Sequence, residues 1–408
     1  LKEGKIVLLG LGMQGRAALH DLIHNCEAQQ IVVADCSPEL DALLALYTPD
    51  RITGRTLDAG NEEELASLIE DAEMVVEALP APFALPAGRL AAGLGVNLVS
   101  SMYYTDPGEE DPDRIEARLE EIRSVDRDAR ENGVTILTEF GLDPGLDLML
   151  GKKALSEVDQ VEEFYSYGAG IPAPDAADNP LRYKFSWSVA GVMRAYNRHA
   201  RIITGGEVVV IPGREIFDRE NTHLLDLDEF DTQMECYANG DSVYYADMFG
   251  IRGSVKEMGR YTCRWPGHCE FWEAAVKSGF LGENSVRVGD TSVSPIDFTA
   301  SLLGSQEQFR YSEGERDMAL IRVDVRGARG GERKRIIYQL IDYRDLATGF
   351  TAMQRTVGFT MGLGARLIMD GRLSQPGLLT PLDVPFELAA PGLEAHDIRI
   401  TRQETPWE

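Results

Sequence analysis

At 408 residues the chain is longer than one hydrophobic core usually organises, so two domains are expected. Its 44% hydrophobic and 26% charged residues are ordinary for a globular protein. Against 67 Asp and Glu stand only 40 Lys and Arg, and the formal net charge of −27 excludes nucleic acid and anionic membranes as partners. Any anionic cofactor must therefore be drawn in by local features. Five cysteines (Cys26, Cys36, Cys236, Cys263 and Cys269) are odd in number and form no CxxC pair, so neither a disulfide framework nor a metal site is expected. No run reaches the ~18 apolar residues of a membrane span. The chain is strand-like from its first residues, so no targeting peptide and a cytoplasmic location are expected.

In chain order, short apolar runs predict strands at Lys5–Leu9, Gln30–Ala34, Met74–Ala78, Val96–Ser100 and Val134–Thr138, with another ending near Thr56-Leu57. Asn61–Ala72 reads as a helix with Asn61 as N-cap and Glu64 placed for a capping box. Asp113–Asn132 reads as a second helix, with Ile115, Leu119, Ile122 and Ala129 on one face and Gly133 as its stop. Such alternation predicts a parallel sheet covered by helices on both faces. After Pro144 the texture changes. Gly168–Pro180, rich in Gly, Pro, Asp and Ala, reads as irregular chain. Arg201–Thr204 and Glu207–Ile211 flank Gly205-Gly206 as a hairpin, and Met318–Val325 with Lys334–Tyr343 form another. A mixed or antiparallel sheet is expected there, before Thr351–Asp370 returns to a helical pattern.

The first strand runs straight into Gly10-Leu11-Gly12-Met13-Gln14-Gly15 and a helix. In this pattern Gly10 permits the tight turn, Gly12 lets the backbone approach a diphosphate, and Gly15 lets helix and strand pack closely. The helix N-terminus adds free N–H groups and partial positive charge, around Met13 and Gln14. Asp35 closes the second strand 20 residues past Gly15, where an acid binds a ribose 2′-hydroxyl and repels a 2′-phosphate. NAD is therefore expected in preference to NADP. Asp58 follows the third strand as an adenine-side candidate. Leu79, Pro80 and Ser101 follow the fourth and fifth strands, at the carboxyl edge where ligands of such sheets bind.

Further segments carry a resemblance. Thr138-Glu139-Phe140-Gly141-Leu142-Asp143-Pro144-Gly145, Ile171-Pro172-Ala173-Pro174, and Asn179-Pro180-Leu181-Arg182-Tyr183-Lys184-Phe185-Ser186-Trp187-Ser188 occur in order, followed by Arg260–His268 and Gly314–Met318. With the glycine motif, they make the chain resemble the saccharopine dehydrogenase family, in its glutamate-forming branch, over nearly its whole length. The resemblance implies an α/β protein. A doubly wound Rossmann domain (1–142) is followed by an inserted mixed-sheet substrate and dimerisation domain (143–350), and 351–408 return to the first domain. It also implies a homodimer and NAD(P)-dependent oxidation of saccharopine, through an imine, to aminoadipate semialdehyde and glutamate. Two departures are visible. The family's Pro-Asn-Arg-Asp-Ser is Ala238-Asn239-Gly240-Asp241-Ser242 here, and a cysteine of that branch is Gly168. Trp265-Pro266-Gly267-His268 looks more like lysine 6-dehydrogenases, so free lysine is the alternative substrate. A catalytically silent NAD-binding regulator is a third reading.

For a zwitterionic amino-acid substrate the chemistry needs a carboxylate clamp and a partner for the amine. Arg264 is the first choice for the clamp, with Lys184 as a second, and the resemblance adds Ser188 and Asn239 to the substrate side. Asp143 is read as ending the sixth strand at the Leu-Asp-Pro-Gly turn, where it binds the amine or takes its proton. Tyr103 is a donor candidate beside Ser101, with Met102 as the other register. His268 belongs to the residue type suited to proton transfer.

Overall fold

The structure, a computed structural model, describes residues 4–47, 50–105, 109 and 111–407. It forms two compact units, Leu1–Met149 with Gln354–Ile398, and Leu150–Met353 with Arg399–Glu408. Among the described residues no helix is long and apolar enough to cross a membrane.

The first unit is built on β1 (Lys5–Leu9), β2 (Gln30–Asp35), β3 (Ile52–Thr56), β4 (Met74–Glu77), β5 (Asn97–Ser100) and β6 (Thr135–Leu137). With the late strand Gly377–Leu379 they make one parallel sheet, ordered Gly377–Leu379, β6, β5, β4, β1, β2, β3. This is the expected doubly wound arrangement, with its switch point between β1 and β4. Val7, Leu9, Val75, Leu98 and Ile136 are buried as the short apolar runs require. Asn61 does cap its helix, accepting the Glu64 N–H, and Asp111 caps the long helix Pro112–Glu131. The late helical segment contains a π-helical stretch at Arg355–Phe359. There Gly358 lies so close to the helix Met13–Asn25 that an added Cβ would be 2.4 Å from Ala17 Cβ. Asp21, fully buried in that helix, anchors the return by accepting from Arg366 and meeting His396 Nε2 at 2.6 Å.

The second unit carries β7 (Gln160–Pro172), β8 (Ala200–Thr204), β9 (Glu207–Ile211), β10 (Thr222–Leu225), β11 (Met234–Ala238) and β12 (Glu257–Arg264). A small hairpin, β13 (Val286–Val288) with β14 (Thr291–Val293), precedes the long pair β15 (Asp317–Arg329) and β16 (Glu332–Tyr343). The main sheet runs β10, β11, β12, β7, β15, β16 and the final strand Ile400–Pro406, with β8 and β9 attached at β12. It is mixed, since β7 is parallel to β12 and antiparallel to β15. Both expected hairpins are present.

Three expectations are corrected. Gly168–Pro172 are not irregular chain but the end of β7, because residues there are paired with β15. Gly170 is small because Met353 lies against it, its Sδ 2.7 Å from where a Cβ would be. The residues after Arg399 join the second unit, since Ile400–Pro406 pair with β16 from Leu340 to Lys334. The sixth strand stops at Leu137, well before Asp143, because Glu139 turns the chain with φ of +59°.

Candidate functional site

Within the first unit, the sequence motif becomes a cradle. Gly10 has φ of +89°, and a Cβ there would meet the Ala78 carbonyl oxygen at 2.6 Å. A Cβ on Gly15 would be 1.9 Å from the Gly10 carbonyl oxygen, so helix and turn touch backbone to backbone. Gly12 is different. It is the exposed N-cap of the helix Met13–Asn25, and nothing lies within 4 Å of its Cβ position. Open space beside free N–H groups at a helix start suits a diphosphate. Met13 is exposed, and its carbonyl accepts from the Gln354 side chain. Gln14 Oε1 is buried with no partner in the structure.

Asp35 braces the same turn. Its carboxylate accepts the Leu11 N–H at 2.6 Å and the Ser37 N–H at 2.8 Å. Asp58 is exposed after β3 and closes its own turn by accepting from Gly60. Leu79, Pro80, Ser101 and Tyr103 follow β4 and β5 at the carboxyl edge, all half-buried except the more exposed Pro80. Asp143 is exposed in a tight loop where Leu146 N–H donates to the Gly141 carbonyl and Gly145 N–H to Asp147 Oδ1. The peptide between Asp143 and Pro144 is cis.

One residue of this edge escaped the sequence reading. Glu77, the last residue of β4, has no exposed surface. Burial pushes its carboxyl up to about 7, against the opposing bonds from Ser100 and Leu79. The available signal was an acid closing an apolar strand that helices cover on both faces.

In the second unit the Arg264 guanidinium closes β12 and is 4% exposed. Its Nε donates to the Tyr196 hydroxyl at 3.3 Å and an Nη to the Cys263 carbonyl at 2.9 Å. It stands 4.9 Å from the Tyr183 ring centre, with the Tyr196 and Tyr237 rings at 6.0 and 5.8 Å. No carboxylate pairs with it among the described residues. Burying a cation without a counter-charge is expensive, so a site that does so is suited to receiving an anion. Tyr183 Oη and Trp272 Nε1, from the same aromatic cluster, are buried donors with no partner among the described residues. Asn179 shapes this segment, its side chain donating to the Tyr183 and Gln308 carbonyls and accepting from the Leu181 and Tyr183 N–H groups.

His268 joins Arg264 through Tyr196, whose hydroxyl is 2.9 Å from Nε2. Burial, and then the Arg264 charge, hold its pKa well below the ordinary 6.5, so it is neutral at physiological pH. An unfolded chain takes up a proton below pH 6.5 that the folded His268 refuses. Its contribution to stability is therefore complete above that pH and declines as the pH falls. The decline falls between about pH 7.5 and 5.5, on either side of the ordinary value. His268→Gln should remove that part of the decline, as read by urea denaturation of both proteins at the two pH values.

The remaining substrate candidates do not converge on this cluster. Lys184 is buried, and its ammonium already meets Glu315 at 2.5 Å and Asp178 at 2.9 Å. Ser188 is exposed and caps the helix Val189–Ala195 by accepting the Gly191 N–H. Asn239 donates its N–H to the Arg260 carbonyl, before Gly240 with φ of +63°. Cys263 faces Cys236, not Cys269, the two sulfurs 2.7 Å apart as free thiols on paired strands.

Comparison with known proteins adds three findings. Residues 6–137 match the model described as "Saccharopine dehydrogenase NADP binding domain", and residues 141–396 match "Saccharopine dehydrogenase C-terminal domain". Mitochondrial alpha-aminoadipic semialdehyde synthase of Bos taurus is 27% identical, over 98% of this chain and 48% of that protein. The chain thus spans about half the length of such relatives. Saccharopine dehydrogenase [NADP(+), L-glutamate-forming] of Saccharomyces cerevisiae is 24% identical, over 92% of this chain and 93% of that one. The apo structure of the L-Glu-forming saccharopine dehydrogenase from Saccharomyces cerevisiae has the same fold, with a TM-score of 0.83 at 22% identity, covering 98% of this chain and 100% of that one. Homospermidine synthase from Legionella pneumophila, solved with NAD, gives 0.67 at 12% identity, covering 99% and 92%.

Proposed function

The chain belongs to the saccharopine dehydrogenase family, and we propose on that premise that it oxidises the secondary amine of saccharopine with a nicotinamide dinucleotide. A hydride leaves the carbon bonded to nitrogen, water adds to the resulting imine, and rupture of the C–N bond yields aminoadipate semialdehyde and glutamate. The dinucleotide, when bound, supplies the hydride acceptor. The residues fit such a group, because Gly12 leaves its approach open and Gly10 and Gly15 shape the turn.

The observation that carries this reading is the buried, uncompensated Arg264, which suits one carboxylate of a multiply carboxylated substrate. Tyr196 and His268 orient the guanidinium. Lys184, neutralised by two carboxylates, holds its own segment in place, so the clamp falls to Arg264 alone. Asp143 takes the proton of the substrate nitrogen, and Tyr103 donates a hydrogen bond beside Ser101. Free lysine is the less supported substrate, since it carries a single carboxylate and the relatives named above are saccharopine and aminoadipic semialdehyde enzymes. A silent dinucleotide binder would leave Arg264 without a ligand to match its burial.

For the cofactor we propose NAD in preference to NADP. Asp35, which ends β2 and braces the glycine turn, would repel a 2′-phosphate. The matching domain model and the yeast relative are named for NADP, so the choice is a direct comparison. Initial rates with saccharopine and with lysine, each with NAD+ and NADP+, test both parts. The highest kcat/KM is expected for saccharopine with NAD+. Turnover of lysine without turnover of saccharopine would overturn the substrate, and a preference for NADP+ would overturn the role of Asp35.

A further inference from the structure

A charged side chain inside a strand of an apolar parallel sheet is costly unless it is bonded. Glu77 is fully buried after Met74, Val75 and Val76, where another apolar residue would continue the strand without that cost. Its bonds show what it does. Oε1 accepts the Leu79 N–H at 2.6 Å, and Oε2 accepts the Ser100 hydroxyl at 2.5 Å. Ser100 Oγ in turn accepts the Met102 N–H at 2.9 Å. The Ser100 carbonyl then accepts the Phe140 N–H at 2.9 Å, and the Met102 carbonyl the Glu139 N–H at 3.1 Å.

One carboxylate is thus the root of a hydrogen-bond chain through the turns that follow β4, β5 and β6. No cation pairs with it among the described residues, so it is not half of an ion pair. In a doubly wound sheet each half holds one mononucleotide. Asp35 belongs to the half made of β1, β2 and β3, and the Glu77 chain belongs to the other half.

We propose that Glu77 is the positioning residue for the nicotinamide half of the dinucleotide site, holding the Leu79-Pro80 and Ser101–Tyr103 turns in shape through Ser100. The proposal rests on the first unit being a dinucleotide site, and on no particular substrate. Glu77 acts through backbone it anchors, not by touching the reacting atoms.

Calorimetric titration with NAD+ and with ADP-ribose, which lacks the nicotinamide ring, isolates the effect. Glu77→Ala should weaken NAD+ by at least about tenfold, the loss of charge-assisted hydrogen bonds, and change ADP-ribose by less than about twofold. Glu77→Gln, which keeps one acceptor oxygen, should fall between parent and alanine variant. Should the alanine variant not fold, Glu77→Gln and Ser100→Ala must show the same selective loss. Equal weakening of both ligands, or no weakening of NAD+, overturns the proposal while the dinucleotide reading stands. A parent protein that binds neither ligand removes that reading, and the proposal with it.

Discussion

Replacing Arg264 by Met is expected to lower kcat/KM for saccharopine by roughly 30-fold to a few thousandfold while leaving the Kd for NAD+ unchanged. The range is the ~2–5 kcal/mol lost when one partner of a buried, hydrogen-bonded charge pair is truncated. The same substitution should leave the thermal midpoint unchanged or raise it. Arg264 is buried among Tyr183, Tyr196 and Tyr237 without a carboxylate, so the ligand-free protein bears a desolvation cost that no counter-charge offsets. Met keeps much of the side-chain volume and removes that cost. An ordinary structural arginine would behave in the opposite way, with stability falling and catalysis following it. Steady-state kinetics at saturating dinucleotide, together with a thermal melt, separates the two. A lower midpoint with unaltered kcat/KM would remove Arg264 from the substrate site.

The second large effect belongs to Gly12. Gly12→Ala is expected to weaken NAD+ by about 5- to 150-fold, as overpacking of ~1–3 kcal/mol implies, with less than about 1 kcal/mol of lost stability. The methyl group would enter space that is open in the structure, and the backbone there, φ −70° and ψ −162°, is within reach of alanine. A clash can therefore arise only with a ligand. Gly15→Ala is the contrasting control, because its methyl would strike the Gly10 carbonyl oxygen and damage the fold itself. Titration of NAD+ beside urea denaturation reads both quantities. An unaltered Kd in Gly12→Ala would mean that the diphosphate does not approach this turn.

The dinucleotide half of the molecule was largely legible in the sequence because its signals are local. A strand, a glycine turn and a helix follow each other within Lys5–Asn25, and Asp35 then stands at a fixed distance. The Asn179–Ser188 run was equally visible, but its geometry was not. That Lys184 finds Glu315 and Arg264 finds Tyr196 depends on partners 131 and 68 residues away, and no periodicity encodes them. Glu77 was missed for a similar reason, since its meaning lies in the hydroxyl of Ser100, 23 residues later. Gly168–Pro172 misled through composition. Glycine and proline argue for loop when read alone, whereas here pairing with β15 and the packing of Met353 make small residues fit a strand. The final strand was assigned to the wrong unit because chain order says nothing about which sheet edge is left open for it.

Product stoichiometry tests the account most directly. Purified protein supplied with saccharopine and NAD+ should release one glutamate for each reduced dinucleotide formed, with both measured in the same sample. Reduced dinucleotide accumulating without glutamate, or forming as fast from lysine alone, would contradict oxidation of the saccharopine C–N bond.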